Sequence, residues 1–353
     1  MIERRRFVLG LYALAAGGAA TQSQGRTLGS GDESSPPVGN SRFELTYGDF
    51  LRRFVRTSGR VVDDHNGEVS HSESQGYGLL VAAFANDRPT FDRIYAWTRA
   101  ALMIRGDGLA AWRWDPRATP HVADMNNATD GDLLIAYALL EAYDRWGGPY
   151  QDDARAIAGA IAGQLTYEHA LGLMLKPGVT AFEATDWGGA PVVNLSYWIF
   201  PALERLARDN PNGPWNALNR SGLALVDACR FGPAELPSDW ISLGNPVAPA
   251  PGKAAVFGYD AIRVPLYLAW ACPEKRSRLA PFVRSFVNGQ PQIVDLSTGK
   301  PIGTFGGNGF GRLANAVGCE APSARNFLRS DETYYPTILG LLADHVDCNN
   351  CAK

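Results

Sequence analysis

Three short acidic segments stand out because each sits where an uncharged helix is expected to begin. Ser72-Glu73-Ser74-Gln75-Gly76-Tyr77-Gly78 opens on a carboxylate and runs into an apolar stretch, with two glycines that permit close backbone approach. Asn126-Asn127-Ala128-Thr129-Asp130-Gly131-Asp132 places two acids two residues apart, immediately before the nearly uncharged stretch 133–142. Gly258-Tyr259-Asp260-Ala261-Ile262-Arg263 sets an arginine three residues after an aspartate, a spacing at which the cation can hold the carboxylate ionised. Carboxylates held differently at dry helix ends are candidates for proton transfer or for gripping a polar ligand. Each segment alone also has a plainer reading. Glu73 could stabilise a helix N-terminus through the macrodipole, Thr129 or Asp130 could be an N-cap, and Asp260 with Arg263 could be a capped helix with a local ion pair.

The elements that must position these residues read as helices in succession. Hydrophobic periodicity predicts helices near 43–57, 73–86, 89–104, 131–146, 151–165, 195–209, 215–229, 261–271, 274–288, 308–317, 322–328 and 332–345. Their character alternates. The stretch 75–85 (QGYGLLVAAFA) carries no charge, whereas 91–102 (FDRIYAWTRAAL) has charges on one face only. The same contrast separates 133–142 (LLIAYALLEA) from the charged segment 152–164. An all-α fold of about twelve helices, an inner ring wrapped by an outer one, explains the alternation, because inner helices are covered everywhere except at their ends. Chemistry then belongs at the ends of the inner helices.

Composition narrows the class. The 353 residues are 46% hydrophobic and 20% charged, as in ordinary globular proteins, and the charge balance of 33 − 36 = −3, without basic runs in the body, argues against nucleic acid as a partner. Arg4-Arg5-Arg6-Phe7-Val8-Leu9 leads into a small-residue apolar run ending near Ala20, too short to span a bilayer. Residues 1–20 are therefore expected to be a twin-arginine-like export signal, 21–41 a Ser/Gly/Pro-rich linker, 42–347 a single catalytic domain and 348–353 a tail. Export implies a periplasmic or secreted protein with no membrane span in its mature chain. Five cysteines (Cys229, Cys272, Cys319, Cys348, Cys351) make an odd count, which does not indicate a disulfide framework. Cys348 and Cys351 have CxxC spacing without a second ligand pair, so a tail disulfide is a simpler expectation than a metal site.

Taken together, the three segments resemble glycoside hydrolase family 8. The resemblance rests on the motif at 72–78, on Ala-Thr-Asp-Gly-Asp-Leu-Leu-Ile-Ala-Tyr-Ala-Leu-Leu at 128–140, on Tyr-Asp-Ala-Ile-Arg at 259–263, and on the separations 130 − 73 = 57 and 260 − 130 = 130. Within the family the chain is most similar to the endoglucanases encoded with bacterial cellulose synthases. The resemblance covers about 42–345 and implies an (α/α)6 barrel, an inverting endo-acting hydrolase of β-1,4-glucan, and no metal or organic cofactor. It assigns Glu73 as general acid, Asp260 as general base and Asp130 as the residue holding the sugar at the cleavage site. In an inverting pair one carboxylic acid protonates the glycosidic oxygen while a carboxylate on the other face activates water. Glu73 must then keep its proton against the helix dipole, through burial and neighbouring carboxylates.

A glucan groove also needs aromatic platforms for the C–H faces of the sugar. Trp112, Trp114, Trp187, Tyr197, Trp198 and Trp240 fall in loops or near helix ends, whereas Trp97, Trp146 and Trp270 fall within helical runs and are expected to pack. Trp112 and Tyr197 are the foremost sugar contacts, with Trp114, Trp240 and Arg263 completing the expected set; core filling is the alternative for each. The segment Asn194-Leu195-Ser196-Tyr197 resembles the family's Asn-Pro-Ser-Tyr stretch, with Leu195 in place of proline. After Arg263, Val264-Pro265-Leu266-Tyr267 lacks the Pro-Trp-Arg of other family branches. Mixed-linkage glucan, xylan or chitosan as substrate therefore stays open, as does a non-catalytic glucan-binding subunit of a cellulose-export complex. A pure binder, however, has no reason to retain both Glu73 and Asp260 in their contexts.

Overall fold

The computed structural model describes residues 42–271, 277–320 and 331–346. The signal, linker and tail segments, the helix expected at 322–328, and Cys272, Cys348 and Cys351 lie outside these residues. Eleven α-helices occur among the described residues: α1 (Arg42–Phe54), α2 (Ser72–Phe84), α3 (Arg88–Ala101), α4 (Thr129–Trp146), α5 (Tyr150–Gln164), α6 (Phe200–Asp209), α7 (Trp215–Ala228), α8 (Arg263–Trp270), α9 (Ala280–Arg284), α10 (Asn308–Gly318) and α11 (Tyr334–Ala343).

Six of them close a ring. α2 packs on α4, α4 on α6, α6 on α8, α8 on α10, α10 on α11, and α11 returns to α2. The remaining five back them from outside: α1 against α11, α3 against α2, α5 against α4, α7 against α6 and α9 against α10. This is the (α/α)6 barrel, and the alternation seen in the sequence is its signature. α2 buries every residue but Glu73 and Phe84, and α8 every residue but Trp270. α5, by contrast, buries only Tyr150, Ala154, Ile157, Ala158 and Ile161, a single stripe at helical spacing. The one amide inside α2, Gln75, is tolerated because it accepts from Val61 N at 2.6 Å and donates to Thr98 Oγ1 at 2.8 Å, tying α2 to α3.

The approach of α2 to α4 depends on Gly131. A Cβ there would collide with the Ser72 side chain and lie 2.7 Å from Glu73 N, so any larger residue would push the two helix starts apart.

Two expected helices are shorter than their periodicity implies, for one reason. Pro201 would remove a hydrogen bond and clash with the carbonyl four residues back inside a continuous 195–209 helix. Instead Leu195–Tyr197 form a 3-10 turn and α6 starts at Phe200, with the proline in its first turn. Pro281 likewise sits at the start of α9, which replaces the long helix expected over 274–288. Short antiparallel strands, absent from the sequence reading, join the helices. β1 (Ser70–His71) pairs with β2 (Arg113–Trp114), and β3 (Thr166–His169) with β4 (Gly172–Leu175). β5 (Val192–Val193), β6 (Ile241–Ser242) and β7 (Ala248–Pro249) form one three-stranded sheet, and β8 (Val256–Phe257), β9 (Gln292–Asp295) and β10 (Lys300–Thr304) another. Among the described residues no helix is long and apolar enough to cross a membrane.

Candidate active site

Glu73 lies in the first turn of α2, Asp130 in the first turn of α4, and Asp260 three residues before α8. All three therefore stand at the N-terminal mouth of the inner ring, although 187 = 260 − 73 residues separate the outermost pair. Arg263, the first residue of α8, joins them. Its Nη1 donates to Glu73 Oε1 and, at 3.0 Å, to Asp130 Oδ2; its Nη2 donates to Asp260 Oδ1 at 2.9 Å. The Arg263 side chain is 4% exposed and that of Asp130 4%, whereas Glu73 and Asp260 keep 22% and 34%, so these two carboxylates are the ones open to solvent and the other two groups lie beneath.

The N-cap of α4 is Ala128, without a side-chain cap. Asp130 is thus past the cap position, and its Oδ1 accepts from Gly131 N at 2.9 Å. Thr129 is not the cap either; its hydroxyl donates to Lys176 O at 2.6 Å. The second acid of this motif points away from the cluster. Asp132 accepts from Ala110 N and Asn127 Nδ2, both at 2.8 Å, bracing the loop that leads into α4.

One guanidinium facing three carboxylates leaves an excess of negative charge where water is scarce, so protons are held tightly. Burial, reinforced by the Asp260 and Asp132 carboxylates, pushes Asp130 up to about 8 against the pull of the Gly131 amide. Burial pushes Asp260 up to about 6, while donors on Asn194 and Trp240 and the charge of Lys253 draw it back. Asp260 therefore ionises more readily than Asp130.

The aromatic residues divide into two sets. Trp112 is half-buried, its carbonyl accepting from Ser72 N at 3.0 Å and its amide donating to Asn126 O at 2.9 Å, so it hangs between the loops that lead into α2 and α4. Its ring lies parallel to His71, with centroids 6.4 Å apart. Tyr197 sits over the Arg263 guanidinium, 5.9 Å from its ring centre. Trp240 stacks on Phe182 at 5.8 Å and lies beside Asp260. Trp114 is packed as well, with Arg60 over its ring at 4.8 Å, His121 at 4.3 Å and Trp97 edge-on at 5.7 Å, and Tyr197 and Trp240, each 5% exposed, are core residues. Arg263, expected as a sugar contact, has its donors engaged by carboxylates instead. Trp198 is a core residue, 1% exposed, its indole donating to Leu218 O at 3.0 Å.

The model of the Glycosyl hydrolases family 8 matches residues 34–348 of the chain. The protein belongs to glycoside hydrolase family 8. It is 38% identical over 301 residues to a probable endoglucanase of Novacetimonas hansenii, covering 83% of this chain and 87% of that one. Among solved structures, the endo-β-1,4-glucanase CMCax of Acetobacter xylinum superposes with a TM-score of 0.78 at 36% identity, covering 86% of this chain and 97% of that one. Endoglucanase Cel10 of Klebsiella pneumoniae gives 0.79 at 33% identity, with 85% and 97% covered.

Two residues of this family 8 hydrolase were not legible as site residues in the sequence. Asp239 Oδ1 accepts from Gly258 N at 2.9 Å and from Ala261 N at 2.8 Å, so it holds the turn that presents Asp260. A Cβ on Gly258 would strike the Asp239 carboxylate, which explains the glycine. Burial, with the charge of Asp260, pushes Asp239 up to about 8. Asn194, 1% exposed, faces the same aspartate from β5. In the sequence Asp239 follows Glu235 in a proline-containing loop with no apolar helix behind it, and only the folded turn gives it a partner.

Proposed function

We propose that this family 8 hydrolase cuts internal β-1,4 linkages of glucan, cellulose or its soluble derivatives, by a single inverting displacement. The observation that carries the reading is the convergence of Glu73, Asp130 and Asp260 on Arg263 at the mouth of the barrel, with Glu73 and Asp260 the two carboxylates open to solvent. The proposal takes Glu73 as the acid that passes its proton to the glycosidic oxygen as the C1–O bond breaks. Asp260, ionised at neutral pH, takes a proton from water as that water attacks C1 from the opposite face. Asp130, buried below, holds the sugar ring in its reactive shape, and Arg263 fixes the three carboxylates relative to one another. Trp112, half-buried beside the mouth, supplies stacking surface, while Tyr197, 5% exposed, backs the Arg263 guanidinium.

Glucan as substrate is supported by the similarity to the N. hansenii protein, named a probable endoglucanase, and to the A. xylinum endo-β-1,4-glucanase. A role alongside bacterial cellulose synthesis rests on the resemblance of the motifs at 72–78, 128–140 and 259–263 to endoglucanases encoded with cellulose synthases, and export to the periplasm or beyond rests on the Arg4-Arg5-Arg6 segment. Reducing-sugar release should be measured on carboxymethylcellulose, mixed-linkage glucan, xylan and chitosan in parallel. The reading predicts the highest kcat/KM on carboxymethylcellulose, with a rapid fall in viscosity; faster turnover of xylan or chitosan would overturn it.

A further inference from the structure

α2 and α8 stand diametrically opposite in the inner ring, three steps apart by either route, so neighbour packing links one to the other only through two intervening helices. At the mouth they are joined directly across the barrel, where Arg263 Nη1 donates to Glu73 Oε1. One helical turn below, the hydroxyls of Tyr77 and Tyr267 meet in a second hydrogen bond between the same two helices. The offsets are equal, 77 − 73 = 4 and 267 − 263 = 4, so on each helix both residues lie on one face, about 6 Å apart along the axis. The two contacts stack as rungs.

The lower rung calls for a reason. Tyr77 is 1% exposed and Tyr267 0%. Phenylalanine would fill either place with no hydroxyl to desolvate, whereas each tyrosine needs a partner for its O–H where water is scarce. Here each hydroxyl is the other's partner. Burial raises both, Tyr267 to about 12, so the bond joins two uncharged groups at neutral pH. An uncharged bond can set the spacing and rotation of two helices without adding to a cluster that already has three carboxylates on one guanidinium. Tyr267 also ends the stretch 264–267, in which this chain departs from the Pro-Trp-Arg of other family branches, and the roles given to the carboxylates leave that stretch unexplained.

We propose that Tyr77 and Tyr267 are positioning residues, their bond fixing α2 against α8 and so holding Glu73 and Arg263 in place one turn above. This rests on Glu73 being the acid, but the effect on Arg263 can be read without any turnover. Tyr77→Phe, Tyr267→Phe and the double variant are compared. Each single variant leaves one buried hydroxyl unpaired and the double leaves none, so the melting temperature should fall in the singles and recover in the double. Turnover should not recover. The rung is missing from all three, so kcat on a short cello-oligosaccharide should fall by about ten- to a hundredfold in each, with KM little changed. A pair that served stability alone would lower turnover only in proportion to the molecules unfolded. In protein labelled with 15N-arginine, the Arg263 signals are identified as those lost in Arg263→Lys. The wild type should show resolved Nη1 and Nη2 resonances, each held by its own carboxylate contacts, and the variants should show them merged by faster rotation. Wild-type kcat or unchanged Nη resonances in the folded double variant overturn the proposal; should the double not fold, the same outcome in a folded single does so. Full turnover in Glu73→Gln would instead sink the assignment of the acid, leaving the rung to be judged by the Nη resonances alone.

Discussion

Arg263 Nη1 lies 3.0 Å from Asp130 Oδ2, a contact between the first turns of two inner helices whose residues are 133 apart in the chain. It ties together the ends of two inner helices that are separated in the ring by α6, and the same guanidinium also reaches Glu73 and Asp260. The planar fork is what allows this, and an ammonium cannot reproduce it.

Arg263→Lys should therefore keep the charge and lose the geometry. Turnover on a soluble β-glucan should fall by at least about a hundredfold, on the order of 3 kcal/mol in the barrier. Arg263→Met leaves three carboxylates without their cation and should also lower stability at pH 7, by about 3 kcal/mol or more in urea titrations. A lysine variant within a few-fold of the wild type would mean that charge alone suffices.

Glu73→Gln removes the transferable proton while preserving shape and an oxygen for Arg263. Nearly all turnover should disappear, with binding of cello-oligosaccharides by calorimetry largely intact. Activity within a few-fold of wild type would reject Glu73 as the acid.

Asp130→Asn separates a clamp from a helix cap, and the cap itself belongs to Ala128. Both carboxylate oxygens are in use, one by Gly131 N and one by Arg263, so an asparagine must turn its amide nitrogen against one of these donors. Turnover should fall by something like ten- to a thousand-fold, roughly 1.4 to 4 kcal/mol, with only about 1 kcal/mol lost from the fold. Wild-type turnover in a folded variant would leave Glu73 and Asp260 as the working carboxylates.

Asp132, two residues on, should behave oppositely. Asn127 cannot flip to meet an asparagine there, because its Oδ1 accepts from Val179 N at 2.8 Å. Asp132→Asn would keep an acceptor for one of its two donors and turn an amide nitrogen against the other, and should destabilise the protein by roughly 1 to 3 kcal/mol. Its turnover per folded molecule should fall less than that of Asp130→Asn; equal losses would place Asp132 in the chemistry as well.

The contrast between these two aspartates marks how far the sequence could be read. The alternation of uncharged and one-faced helices made the ring legible, because full burial leaves its mark on composition at every inner helix. The three acids were legible because each precedes such a helix. Asp132 looked like the twin of Asp130, and only the fold turns one inward and the other toward Ala110 and Asn127. The two-residue strands β5 and β6 left no period to detect, since their pairing is set by partners some fifty residues away. Asp239 was hidden with them, and Asn194 was visible only as part of the stretch 194–197. Pro201 and Pro281 were visible, but their effect on helix starts was outweighed in the reading by the apolar periodicity around them.

The central claim, that Glu73 and Asp260 act on opposite faces of the sugar in one displacement, is tested most directly by the anomer first released. Proton NMR of a fresh hydrolysate of a short cello-oligosaccharide reads it before mutarotation. The account predicts that the α-anomer appears first and the β-anomer only as the sugar equilibrates. First-formed β-product would mean a covalent glycosyl intermediate and contradict the roles given to both residues.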